Sequence, residues 1–296
     1  MTLPNAILIG APRCGTTSVH AHLAGHRDVF ASTTKEPQFF SSQAQEIRLD
    51  GPNDRQVLSH LVTRLEDYER LFEGASGQRV IVESSTTYIY FQGTAQAIRN
   101  QIPTCRIVAI LRDPVARAYS DFLRQRRNGH EPLEDFGEAL REEPRRIEAG
   151  WAYRWHYRSR SLYHDRLKEY FDEFPPDAVK VFLFEELRDP PRFITDLSAF
   201  LGIEPRVDIG LGQLNPGGEP RSRMLHRTMF AMNPAGMALG RLVPNSALRR
   251  GRQAVLAKNL RVPELDPDLA ARLRSSFRTD IERLQELIDR DLRHWL

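Results

Sequence analysis

Residues Gly10-Ala11-Pro12-Arg13-Cys14-Gly15-Thr16-Thr17-Ser18 directly follow the apolar run Ala6-Ile7-Leu8-Ile9. The run reads as a buried strand, and Thr16 to Ala24 reads as a helix. A glycine-bracketed turn between strand and helix constrains this chain more than any other feature. It commits the region to an α/β arrangement and aims free backbone N–H groups at one point. The spacing of the two glycines is that of a phosphate-binding loop. The nucleotide-triphosphate version continues Lys-Ser/Thr, whereas this chain has Thr16-Thr17.

Strand and helix signals alternate beyond the loop. Val80-Ile81-Val82 reads as a strand, followed by a helix over Thr94 to Gln101. Arg106 to Leu111 reads as a strand stopped by Asp113-Pro114, and Val115 to Arg127 as a helix. A helix over Leu162 to Phe174, a strand over Val179 to Phe184 and a helix over Pro191 to Leu201 follow. Leu273, Phe277, Ile281, Leu284 and Leu287 make one stripe of a long amphipathic helix, Leu269 to Leu287. The pattern predicts a P-loop-type parallel sheet flanked by helices on both faces. With no repeat or linker visible, residues 1–296 read as a single domain, and 205–262 as a less regular subregion.

Within the first loop, glycine lets the backbone approach an oxyanion, and the helix dipole adds partial positive charge. The hydroxyls of Thr16, Thr17 and Ser18 can donate further hydrogen bonds. Arg13 supplies a cation at the loop crown, in place of a lysine on the helix. That position suits the bridging oxygen and terminal group of a 5′-phosphate ester. It fits a sulfuryl donor, which carries less charge than a γ-phosphoryl group and needs no bridging metal. Cys14 reads either as a small packing residue or as a thiol acidified by Arg13.

A second anion site is expected at Ile110-Leu111-Arg112-Asp113-Pro114, where a strand turns into a helix. Ser120 falls in the second turn of that helix. Arg112 can grip an anion as a fork while Ser120 donates its hydroxyl. Two such sites at one sheet edge imply a nucleotide phosphorylated at both ends of its ribose.

With these motifs the chain resembles the sulfotransferases that use 3′-phosphoadenosine 5′-phosphosulfate (PAPS), in the branch of bacterial small-molecule and heparan enzymes. Ala11 to Ser18 is similar to the family's 5′-phosphosulfate loop, usually Pro-Lys-x-Gly-Thr-Thr. Leu111-Arg112-Asp113-Pro114-Val115-Ala116-Arg117-Ala118-Tyr119-Ser120 resembles its 3′-phosphate motif. Phe184-Glu185-Glu186-Leu187 and the closing Arg290 to Leu296 also look familial. The resemblance implies PAPS as donor, 3′,5′-ADP (PAP) as product and no metal. It implies donor contacts from Arg13, Cys14, Gly15, Thr16, Thr17, Ser18, Arg112 and Ser120. Two departures stand out. Arg13 occupies the usual lysine position, and Glu83-Ser84-Ser85-Thr86-Thr87-Tyr88 lacks the Glu-Lys-Ser of heparan enzymes.

Glu36, in Lys35-Glu36-Pro37-Gln38-Phe39-Phe40, is the candidate base for the acceptor hydroxyl. The residue before proline is expected to be extended and outside a helix. Taken alone, Glu36 reads equally as a surface partner of Lys35; the resemblance implies catalysis. His20, His22 and His26 are the runners-up. Glu83 reads as orienting Arg13 or the acceptor, or as a fold-stabilising ion pair. Trp151, Tyr153, Trp155 and Tyr157 alternate, so one half is expected in the core and the other in an acceptor pocket or on adenine. Tyr88 and Tyr163 divide between packing and ligand contact.

Net charge is +3, but between Pro220 and Pro263 stand nine Arg or Lys and no Asp or Glu. Four of the five methionines lie there too. This stretch reads as a solvated basic helix, as a lid whose Arg221-Ser222-Arg223 closes on the 3′-phosphate, or as a peripheral membrane contact. The acceptor group is expected to be a hydroxyl ahead of an amine, on a small molecule, glycan or lipid, and the methionines and aromatics favour a partly apolar or amphiphilic one.

No transmembrane run, signal-like segment or Asn-x-Ser/Thr site is seen, and the two cysteines make no disulfide framework. A cytoplasmic protein is expected. Two other functions remain open: a P-loop kinase-like phosphotransferase, which the missing lysine opposes, and a non-catalytic nucleotide- or RNA-binding protein. Interleaved RNA-stacking motifs are absent, so no nucleic-acid partner is expected.

Overall fold

The computed structural model describes residues 2–212, 218–220 and 260–296. In chain order the elements are β1 (Ala6–Gly10), α1 (Thr16–Ala24), β2 (Val29–Ala31), α2 (Phe39–Ala44), α3 (Asp54–Val57), α4 (Leu65–Arg70), β3 (Val80–Ser84), α5 (Thr94–Gln101), β4 (Arg106–Leu111), α6 (Pro114–Arg127), α7 (Phe136–Glu148), α8 (His164–Glu173), β5 (Val179–Leu183), α9 (Pro190–Leu201), β6 (Glu219–Pro220), β7 (Leu260–Arg261) and α10 (Pro267–Ile288).

Strands β1 to β5 form one parallel sheet in the order β2-β3-β1-β4-β5. The short β6 and β7 pair antiparallel apart from it. Every residue of β1, and all of β4 except Arg106, is buried. Side chains of both alternating sets are therefore covered, as a sheet with helices on both faces requires. The central position of β1, between β3 and β4, brings the glycine turn and the Arg112 turn side by side at the carboxyl edge.

Local chemistry accounts for the elements around that edge. Asp113 caps α6 by accepting the Ala116 amide at 2.7 Å, and Pro114 occupies the first helical position. On α10, Leu273, Phe277, Ile281 and Leu284 are buried and Leu287 is half-buried. Each fully buried apolar side chain of that stripe contributes roughly 1.5–3 kcal/mol.

The elements read from sequence recur with small shifts. Strand β5 stops at Leu183 because Phe184 opens a 3₁₀ turn over Phe184–Arg188. Helix α8 begins at His164, two residues after Leu162. The sequence reading lacked β2, α2, α3, α4, α7 and the short β6 and β7. Trp151 to Tyr157 is a further correction. Its core is a 3₁₀ turn, Tyr153–Trp155, and Ala152 to Tyr157 are all buried. The alternation imitated a half-buried strand, whereas the turn packs both sets inward. The basic, methionine-rich stretch over 221–259, with Arg221 and the lid and membrane readings, lies outside the described residues.

Candidate active site

Gly15 caps α1 in the left-handed conformation, with φ 82°. The first-turn N–H groups of Thr16 and Thr17 have no intrahelical acceptor, as at any helix start. A Cβ on Gly15 would stand 2.5 Å from Leu187 Cδ2, so the 3₁₀ turn after β5 closes tightly over the loop. Arg13 is also left-handed, with φ 69°. A non-glycine residue held there stores strain of about 1–3 kcal/mol, which the surrounding packing must offset.

The strained turn sends the Arg13 side chain to the second motif. Arg13 Nε donates to Ser120 Oγ at 3.1 Å, and Arg112 Nη1 donates to the Arg13 carbonyl at 3.3 Å. The Arg112 guanidinium lies 4.7 Å from the centre of the Phe184 ring. Buried Tyr163 donates its hydroxyl to the Arg112 carbonyl at 3.0 Å. Tyr163 thus fixes the strand end through packing and one hydrogen bond. The two sequence motifs form one connected structure, not two separate cradles.

Along this edge runs a cavity of about 590 Å³. Arg13, Gly15, Thr16, Thr17 and Ser18 line one part; Arg112 and Ser120 line another, with Phe184 and Leu187. Burial, and then the neighbouring Arg124, lower the Arg13 guanidinium to about 10, so it stays charged at neutral pH. The Cys14 thiol faces the core and is not among the lining groups. Burial pushes it up to about 12, which overturns the acidified-thiol reading and leaves only the Cys14 backbone for an anion.

A second cleft, about 280 Å³, adjoins the first and shares Arg13, Thr16 and Thr17 with it. Glu36 lines this cleft with Lys35 and Thr86. Its backbone is not extended: φ is 62°, because the Glu36 amide donates to the Ser84 carbonyl at 2.9 Å. The expectation from the following proline fails there, although Glu36 does lie outside any helix. One carboxylate oxygen accepts the Lys35 ammonium at 2.6 Å, and the other accepts the Thr86 amide at 2.8 Å. Burial by itself would raise this carboxyl. The Lys35 charge and the hydrogen bonds from Lys35 and Thr86 outweigh burial and hold it below its ordinary value. The Lys35 pairing and a place in the cleft are both found.

Most of the other candidates lie outside both cavities. His20 Nδ1 meets Ser84 Oγ at 2.8 Å; burial and then Lys35 lower its ring to about 4. His22 and His26 are buried against the carbonyls of Gly210 and Glu204. Glu83 sits inside β3 and is fully buried, within 3.4 Å of the Tyr68 hydroxyl. No ion pair involves it among the described residues, so the ion-pair reading of Glu83 falls. Tyr88 is buried against Phe40. Of the aromatics at 151–157, Tyr153 lines the second cleft and donates to Gln38 Oε1 at 2.7 Å.

Sequence reasoning missed Arg124, Arg154 and Arg160, all of which line the second cleft. Arg124 was recoverable, being one helical turn beyond Ser120 on α6. Arg154 and Arg160 come from an irregular segment that carries no periodic signal.

A parallel sheet with a glycine turn and an arginine-serine turn over one cavity defines a P-loop-like α/β fold. Residues 4–207 match the family described as the sulfotransferase family. The chain belongs to that family. It is similar to a sulfotransferase from Alicyclobacillus acidocaldarius of known crystal structure, at 31% identity and a TM-score of 0.78, covering 100% of this chain and 99% of that one. Among curated proteins it is similar to human carbohydrate sulfotransferase 15, at 31% identity over 41% of this chain and 27% of that protein. It is also similar to human bifunctional heparan sulfate N-deacetylase/N-sulfotransferase 3, at 24% identity over 70% of this chain and 23% of that protein. The chain therefore matches only a minor part of those curated relatives. Among the described residues no helix is long and apolar enough to cross a membrane.

Proposed function

We propose that residues 1–296 work as one domain that moves a sulfuryl group from PAPS to an acceptor hydroxyl, releasing 3′,5′-ADP. The observation that carries the reading is the pair of adjoining cavities that share Arg13, Thr16 and Thr17. The larger would take the donor and the smaller the acceptor, with the shared residues at the transfer point.

In this reading the α1 N-terminus and the hydroxyls of Thr16, Thr17 and Ser18 hold the donor's 5′-phosphate. Arg112 and Ser120 hold its 3′-phosphate. Carboxylate Glu36 takes the acceptor proton as the acceptor oxygen attacks sulfur. The bond between sulfur and the bridging oxygen breaks, and the leaving phosphate keeps that electron pair. The Arg13 guanidinium faces the charge that develops there, and a fixed cation in a water-poor cleft is worth most at that moment. Lys35 and Thr86 keep Glu36 ionised and aimed before reaction, so no reorganisation is needed.

Two measurements test this. Calorimetry should show 3′,5′-ADP binding without a metal and no comparable binding of ATP–magnesium; the reverse preference would point to phosphoryl transfer. Glu36→Gln should keep 3′,5′-ADP affinity and lose transfer of labelled sulfate; near-normal turnover would move the base elsewhere.

A further inference from the structure

The smaller cleft is more cationic than proton removal requires. Arg13, Arg124, Arg154 and Arg160 line it together with Lys35, and Glu36 is the one carboxylate among its described lining residues. Lys35 is already matched to Glu36. The acids behind the arginines are shared out. Asp54 accepts from Arg154 Nε at 2.6 Å, from Trp155 Nε1 at 2.9 Å and from the Ala152 amide at 2.8 Å. Asp121 serves Arg117 at 3.2 Å and Arg160 at 3.1 Å, and stands 4.0 Å from Arg124.

After those pairings, donors remain. Arg154 is 4% exposed and Arg160 is 5% exposed. Arg154 Nη1 and Arg160 Nε are buried without any hydrogen-bond partner. An orphaned buried N–H of a charged group is costly, and native proteins rarely keep one without a use. Both groups are closed to solvent and mark how densely charged this wall is; the cation open to the cleft is Arg124, whose side chain is 44% exposed and stands 4.0 Å from Asp121. Guanidinium forks suit planar or tetrahedral oxyanions in particular.

We propose that the acceptor carries an oxyanion beside its hydroxyl, attracted by the cationic lining of Arg124, Arg154 and Arg160 and held by Arg124 while the hydroxyl faces Glu36. This rests on the sulfuryl-transfer reading and names the acceptor class within it: a hydroxylated carboxylate, phosphate ester or sulfate ester. The cleft volume of about 280 Å³ suits a single ring-sized anionic unit. The amphiphilic acceptor expected from the methionine content is a poorer match to so polar a lining.

The experiment titrates phenyl phosphate and benzoate, with benzyl alcohol as the uncharged control, into protein saturated with 3′,5′-ADP, so that the donor cavity is filled. Calorimetry should show an anion binding at least tenfold tighter than benzyl alcohol, and the tighter anion identifies the oxyanion. Arg124→Gln should weaken it about tenfold, the loss expected for a charge-assisted hydrogen bond. Arg160→Gln removes a buried charge of the lining and should weaken it less; Arg124, being partly exposed, carries the test. Equal binding of benzyl alcohol, absence of binding by both anions, or unchanged affinity in Arg124→Gln overturns the proposal. Failure of 3′,5′-ADP to bind overturns the donor reading instead. The anion titration on unliganded protein then still decides the cleft, with Arg112→Gln as the control for binding in the larger cavity.

Discussion

Arg13 and Ser120 stand 107 residues apart in the chain, yet Arg13 Nε donates to Ser120 Oγ at 3.1 Å. This bond joins the turn after β1 to the second turn of α6. It makes the ends of the larger cavity mechanically dependent on one another. A change at one end should be felt at the other.

That dependence is measurable. Arg13→Ala should lower kcat roughly 100-fold or more, the scale seen when one donor to a developing oxyanion is removed. Ser120→Ala should weaken 3′,5′-ADP binding more than it lowers kcat. In a double-mutant cycle on kcat/KM, the pair should couple by about 0.5–3 kcal/mol. Strict additivity would mean that the bond carries no function. Arg13→Lys should keep most of the activity, since lysine is the usual residue of the resembling loops.

Gly15 offers a test of the loop that leaves polar groups untouched. Its φ of 82° and the 2.5 Å approach of Leu187 Cδ2 to a would-be Cβ leave room for hydrogen alone. Gly15→Ala should cost about 1–2 kcal/mol from the left-handed backbone. Leu187, a flexible side chain, can yield part of the contact. Thermal melting with and without 3′,5′-ADP should show a lower Tm and a smaller ligand-induced rise. An unchanged rise would separate the loop from the donor.

The pH profile follows from Glu36. Its carboxyl is held below the ordinary 4.5 by Lys35 and Thr86 against the opposing effect of burial. The proposed base is therefore ionised throughout the neutral range, and its limb is expected on the acid side of 4.5. Turnover should stay flat as pH falls from 7 to about 5. Lys35→Met should move that limb upward, because the cation that favours the ionised form is gone. A wild-type limb near 6 to 7 would indicate a different base.

Much of this was written in local sequence. The turn at Gly15, the strand Arg106–Leu111 and the Asp113-Pro114 helix start each rest on short-range chemistry, so composition and spacing reveal them. Glu36 was visible too, through Lys35 and Pro37, although its backbone was not: a hydrogen bond to Ser84 across the fold overrides the preference set by proline. The arginines of the smaller cleft were less legible. Arg160 matters because Asp121 sits behind it, and that pairing spans 39 residues. Glu83 was misread for a related reason. Its run looked finished at Val82, but parallel pairing of Leu8 with Ser84 extends the strand and draws the carboxyl inside.

Glu83 yields the last prediction. Burial raises its carboxyl to about 7, the Ser85, Tyr88 and Tyr68 hydroxyls pull it back, and Glu36 pushes in the same direction as burial. A raised acid binds its proton more tightly folded than unfolded. Below the ordinary 4.5 both states are protonated, and the group costs no charge burial. Between 4.5 and about 7 the unfolded chain ionises while the folded chain does not, so stability falls as pH rises. Above 7 the loss is complete, on the order of 3 kcal/mol at 1.36 kcal/mol per pH unit. Glu83→Gln removes the titration and keeps the shape. Urea unfolding at pH 4.5, 6 and 8 should show the variant gaining on wild type as pH rises, with the gain levelling off near neutrality. A gap independent of pH would mean that Glu83 is already ionised in the fold at low pH, paired in a way that its buried, cation-free surroundings do not provide.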